Sequence, residues 1–75
     1  MPVHDGHEMV NVPEPLAAPL RAAMSKLLSE QVGHPVFTLE AEVWACRACH
    51  VVRLSYPNGD AAEQVVNDSP VWGNW

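Results

Sequence analysis

Val43-Trp44-Ala45-Cys46-Arg47-Ala48-Cys49-His50-Val51-Val52 is the stretch from which the fold can be read. It holds both cysteines of the chain, separated by two residues, with a histidine directly after the second. Before it, Phe37, Leu39, Ala41 and Val43 alternate with Thr38, Glu40 and Glu42. That is the period of a strand with one buried and one wet face. After it, Val52, Leu54 and Tyr56 alternate with Arg53 and Ser55 in the same manner. Two strands on either side make the CxxC segment the loop of an antiparallel hairpin. Within that hairpin, Glu40 or Glu42 is expected to face Arg53 across the ladder.

Working outward, Tyr56-Pro57-Asn58-Gly59-Asp60 is a strong turn, because Asn-Gly readily takes the positive φ values of a tight reversal. The following residues, 60–67, admit two readings. Asp60 and Glu63 have the spacing of a helix capping box, whereas the β-branched pair Val65-Val66 favours a third strand, which is the reading adopted. Towards the N-terminus, Leu20, Met24, Leu27, Leu28 and Val32 form an apolar stripe at helical spacing. Pro19 suits the first turn of that helix, and Gly33 and Pro35 suit its end. The segment 1–15, with Pro2, Pro13 and Pro15, reads as an irregular arm, and 68–75 as an irregular aromatic tail. The expected architecture is thus a small single α+β domain. It has one helix (about 19–32) and a β-meander over 36–67, a 2–3-stranded antiparallel sheet carrying the CxxC loop.

The chemistry lies in the cysteines. Tetrahedral zinc takes thiolate and imidazole ligands, and a CxxC turn offers two sulfurs to one ion. Trp44-Ala45-Cys46-Arg47-Ala48-Cys49, set between two strands, resembles one knuckle of a zinc ribbon. The resemblance covers about ten residues and implies a structural Zn2+ on Cys46 and Cys49. Zinc ribbons usually supply a second CxxC knuckle, for which this chain has no further cysteine, and His50 stands where the knuckle commonly has glycine. The missing ligands must then be histidines. His4-Asp5-Gly6-His7 repeats the cysteine spacing with a glycine to permit the turn, so His4 and His7 are the expected partners. His34, beyond the helix end, and His50 are the substitutes.

Two other chemistries use the same residues. Cys46-Arg47-Ala48-Cys49-His50 has the form CxxCH, the attachment sequence of c-type haem in electron-transfer proteins, with Met9 or Met24 as a second axial ligand. Against it stand the strands on both sides and the acidic start Met1-Pro2-Val3-His4-Asp5-Gly6-His7-Glu8, which lacks the basic and apolar regions of an export signal. A dithiol redox centre would use CxxC at a helix N-terminus, where the thiol pKa is lowered, but no helix is expected there.

Composition narrows the role. At 75 residues the chain buries only about 60% of its unfolded surface, so a metal or a partner is a common aid at this size. With 48% hydrophobic and 17% charged residues it is not a disordered chain. A net charge of −5, with only Arg21, Lys26, Arg47 and Arg53 as cations, disfavours nucleic-acid binding, which depends on clustered Lys and Arg. No apolar run approaches a membrane span. The serines Ser25, Ser29, Ser55 and Ser69 lie in no nucleophile-like context, so no enzyme is expected. Trp72 and Trp75 are candidate interaction residues, or a tail folded back onto the sheet. The sequence therefore reads as a small accessory protein stabilised by zinc, cytoplasmic or in a virion. It would act through a protein partner or as a homo-oligomer, and its compact length and the lack of a visible targeting signal suit a bacterial or phage-encoded virion component or host-protein binder.

Overall fold

The computed structural model describes residues 3–75. In chain order the elements are β1 (Val3–His4), β2 (His7–Glu8), β3 (Val10–Asn11), α1 (Glu14–Val32), β4 (Glu42–Cys46), β5 (Val51–Ser55), β6 (Ala61–Val65) and α2 (Val71–Asn74). β1 and β2 form a two-stranded hairpin, and β3-β4-β5-β6 a four-stranded antiparallel sheet in that order. The α+β class is the one expected, with more of the chain in sheets.

One long helix covers one face of the larger sheet. Ala17, Leu20 and Met24 of α1 are fully buried against Val43, Ala45, Val52 and Leu54. These strand positions alternate, so their neighbours face the other way. Trp44, Cys46 and Val51 line the opposite face, where Met9 plugs a second, smaller core and is itself completely buried. The sheet is thus covered by a helix on one side and by the N-terminal hairpin with Met9 on the other.

Several elements differ from the pattern read in the sequence. The helix begins at Glu14, not Pro19. Burying Ala17, with Leu16 packed beside it, extends the apolar stripe back past Pro19, and Pro15 already supplies the proline of the first turn. The exit is as read: Gly33 takes a left-handed φ of 77°, and its N–H donates to the Ser29 carbonyl. The expected irregular arm is ordered into β1, β2 and β3, while its residues Met1 and Pro2 lie outside the described residues. Region 60–67 contains a strand, β6, paired with β5 from Ser55↔Ala61 to Val51↔Val65. The tail closes in one short helical turn, with Val71 buried.

The strand over 37–43 is shortened and its beginning inverted. Only Glu42–Cys46 is strand. Phe37 and Leu39, expected inside, are 80% and 85% exposed, and Thr38, expected outside, is 4% exposed. Side-chain hydroxyls explain the reversal. Ser25, Ser29 and Thr38 each bond main chain across the gap between α1 and this segment, fixing it before it can join the sheet. The expected pairing of Glu40 or Glu42 with Arg53 is likewise replaced. The turn Arg47–His50 sets the register Cys46↔Val51, which puts Glu42 opposite Ser55 and Arg53 opposite Trp44. Arg53 turns instead to Glu63 on β6, at 2.6 Å.

Candidate metal centre

His4-Asp5-Gly6-His7 is a tight hairpin: His4 and His7 are directly paired, and Asp5 and Gly6 both have positive φ, 48° and 78°. That combination is the two-residue I′ turn, for which Asp-Gly is a preferred sequence. Direct cross-strand partners project to the same side of a ladder, so the turn aims both imidazoles together. The second component is the knuckle between β4 and β5, with Cys46 at the end of β4 and Cys49 in the turn.

The fold brings these together. His7, Cys46 and Cys49 each offer a ligand atom, all within 4.8 Å of one another, and this group could hold a metal ion. His7 Nδ1 lies 3.8 Å from Cys49 Sγ. His4, Asp5 and Cys49 form an adjoining group within the same limit, so both histidines reach the Cys49 sulfur. Cys46 is buried, Cys49 half-buried and His7 exposed, which sets the centre at the edge of the small second core. Both cysteines are free thiols. The neighbouring Cys46, then burial, then the nearby Asp5 carboxylate hold the Cys49 thiol above its ordinary pKa.

Outer contacts orient the ligands. His4 Nδ1 lies 3.2 Å from Glu63 Oε1, while its Nε2 faces Asp5 at 3.5 Å. Glu63 is in turn clamped by Arg53. A carboxylate on the far nitrogen of a ligating histidine fixes its tautomer and direction. Neither Glu63 nor Arg53 is conspicuous in the sequence, since their roles depend on the register of three strands. The Asp5-Gly6 pair between two histidines was the one local signal of the hairpin.

The other two histidines lie elsewhere. His34 sits exposed past α1, its Nδ1 3.1 Å from the Pro35 carbonyl oxygen. His50 faces the tail, stacked on Trp72 with ring centroids 4.7 Å apart and planes 6° from parallel. Its φ of 56° is the left-handed conformation that glycine favours. The departure from the knuckle pattern at this position therefore changes the side chain while keeping the backbone bend. Trp72 also donates its indole N–H to the Val66 carbonyl, and Trp75 lies beside Trp72 and under the Arg47 guanidinium. Residues 46 and 49 of the turn thus belong to the group that could hold a metal ion, and residues 47 and 50 contact the tail.

Among known protein families, curated proteins and solved structures, none matches the chain. Within the described residues, no helix is long and apolar enough to cross a membrane.

Proposed function

We propose that this is a small non-enzymatic accessory protein, stabilised by a structural zinc ion and acting through contacts with other proteins. The observation that carries the reading is the convergence of His7 with Cys46 and Cys49, although His7 is 42 residues from Cys49 in sequence. Three N and S ligands suit zinc, and His4, oriented by Glu63, is the fourth. Two thiolates neutralise the divalent ion, so the centre can border an apolar core with no uncompensated charge. Four protein ligands leave no open position for water, as in structural rather than catalytic zinc. A virion component or a binder of a host protein is the form of this role that we retain.

The two alternatives find less support. A haem thioether at Cys46 would have to form at a sulfur that is 1% exposed, and His50 is engaged by Trp72. A reactive dithiol sits at a helix N-terminus that lowers the thiol pKa, whereas Cys46 ends a strand, Cys49 lies in the turn after it and another strand follows.

The test is metal analysis of purified protein, with urea unfolding before and after chelation. One zinc per chain is expected, with a lower unfolding midpoint once it is removed. Protein free of metal, with unfolding indifferent to chelator and to added zinc, would sink the reading.

A further inference from the structure

Between α1 and β4 the chain has no regular structure, yet hydrogen bonds tie down Val36, Phe37, Thr38 and Ala41. The Val36 N–H donates to Ser29 Oγ at 2.9 Å, and Ser25 Oγ donates to the Val36 carbonyl at 2.7 Å. Thr38 Oγ1 donates to the Arg21 carbonyl and Tyr56 Oη to the Phe37 carbonyl, both at 2.9 Å. Arg21 Nε donates to the Ala41 carbonyl at 2.9 Å, closing the segment onto β4. A segment held this firmly does not expose Phe37 and Leu39 through slackness. They stand 80% and 85% exposed, beside a shallow groove of about 320 Å³ over Ala18 and Ala22. Leaving side chains of this size in water forgoes roughly 1.5–3 kcal/mol each relative to full burial. Their order is fixed before any partner arrives, which lowers the entropy lost on binding.

The charge beside them indicates what covers them. Glu40 and Glu42 are exposed and, with Ser55, Tyr56 and Pro57, line a neighbouring notch of about 270 Å³. The nearby arginines are committed elsewhere, Arg21 to Glu14 and Arg53 to Glu63. Among the described residues no salt bridge reaches Glu40 or Glu42, so two carboxylates border the apolar loop without a counter-charge. We propose that Phe37, Leu39, Glu40 and Glu42 form a docking surface for a basic, apolar segment of a partner protein. Its apolar side chains cover Phe37 and Leu39, and its Lys or Arg enters the notch between the glutamates and Tyr56. A second copy of this chain fits less well, because a two-fold contact on this face would bring glutamates towards glutamates.

The inference rests on the protein-contact half of the proposed function and needs nothing from the zinc half. Its test is the full zinc-loaded chain titrated into a labelled amphipathic Leu/Lys peptide, followed by fluorescence anisotropy. Binding is expected to weaken with salt, and at least about tenfold, or ~1.4 kcal/mol, in each of the variants F37S/L39S and E40Q/E42Q. W75A should bind as the parent does, and a matched Leu/Glu peptide should not bind. The four loop positions are exposed, so unfolding midpoint and zinc content are expected to be unchanged in both loop variants, which separates this result from the fate of the zinc. Absent binding, or binding by either loop variant as tight as the parent's, overturns the proposal. Binding lost only in W75A moves the contact to the tail and leaves the protein-contact reading standing. A parent that sediments as a dimer, and becomes a monomer in F37S/L39S, assigns the face to a second copy and overturns the basic partner.

Discussion

At the scale of single residues, two side chains carry consequences disproportionate to their surroundings. His50 holds a left-handed φ and stacks on Trp72. For a residue with a Cβ such a conformation costs of order 1–3 kcal/mol, while an aromatic pair returns about 0.5–1.5 kcal/mol. His50→Gly should therefore leave stability within about 1 kcal/mol of the parent, since it removes strain and stack together. His50→Ala keeps the strain and loses the stack, and should destabilise by about 1 kcal/mol. Urea midpoints of the two variants check both values, and equal loss in both would remove the glycine-like bend from the account. Glu63 is the second such residue. Glu63→Gln keeps the shape but weakens the hold on His4, and zinc affinity should fall by about tenfold. Competition with a chromophoric chelator measures it, and an unchanged affinity would mean that Glu63 serves only Arg53.

At the scale of elements, the N-terminal hairpin is the piece most dependent on the metal. β1 and β2 have two residues each, and isolated hairpins are marginal at best in water. What ties this one down is Met9 in the second core and the histidines at the cysteine knuckle. The sheet β4-β5-β6, by contrast, is joined by five-residue ladders and backed by α1. Chelation should therefore collapse amide protection over residues 3–8 while leaving β4, β5 and β6 close to the zinc-bound level. Hydrogen exchange resolves the two regions directly. Uniform loss across all strands would show that hairpin and sheet open as one unit.

At the scale of the whole molecule, the proposed zinc would compete with protons for the same side chains, so stability should depend on pH in opposite ways with and without metal. Loaded protein should lose stability as pH falls, because imidazole and thiolate must shed protons to bind. Metal-free protein should show a limb on the other side. The folded Cys49 pKa is raised, so folding favours the thiol; that contribution is complete below the ordinary thiol pKa and is lost as pH rises through the folded value. Urea unfolding across pH, with and without chelator, should reveal both limbs, and Cys49→Ser should abolish the alkaline one. A bound ion would stabilise a chain of 75 residues whose core is small, because its binding free energy adds directly to folding.

The sequence by itself determined what local physics governs. The helical stripe with its glycine stop, the Asn-Gly turn, the strands around Cys46 and Cys49, and the placing of that pair in one turn all rest on spacing and side-chain chemistry within a few residues. Tertiary structure decided what depends on distant partners. Thr38 is inside and Phe37 outside because Ser25 and Ser29, near the C-terminal end of α1, hold the main chain of Val36, and the Thr38 hydroxyl bonds the Arg21 carbonyl. The arm is ordered because Met9 found a second apolar face that no alternation near Met9 announces. At the knuckle where the fold was first legible, Cys46 and Cys49 were readable as a pair. That His7 joins them and Glu63 steadies His4 followed only when three strands took their register.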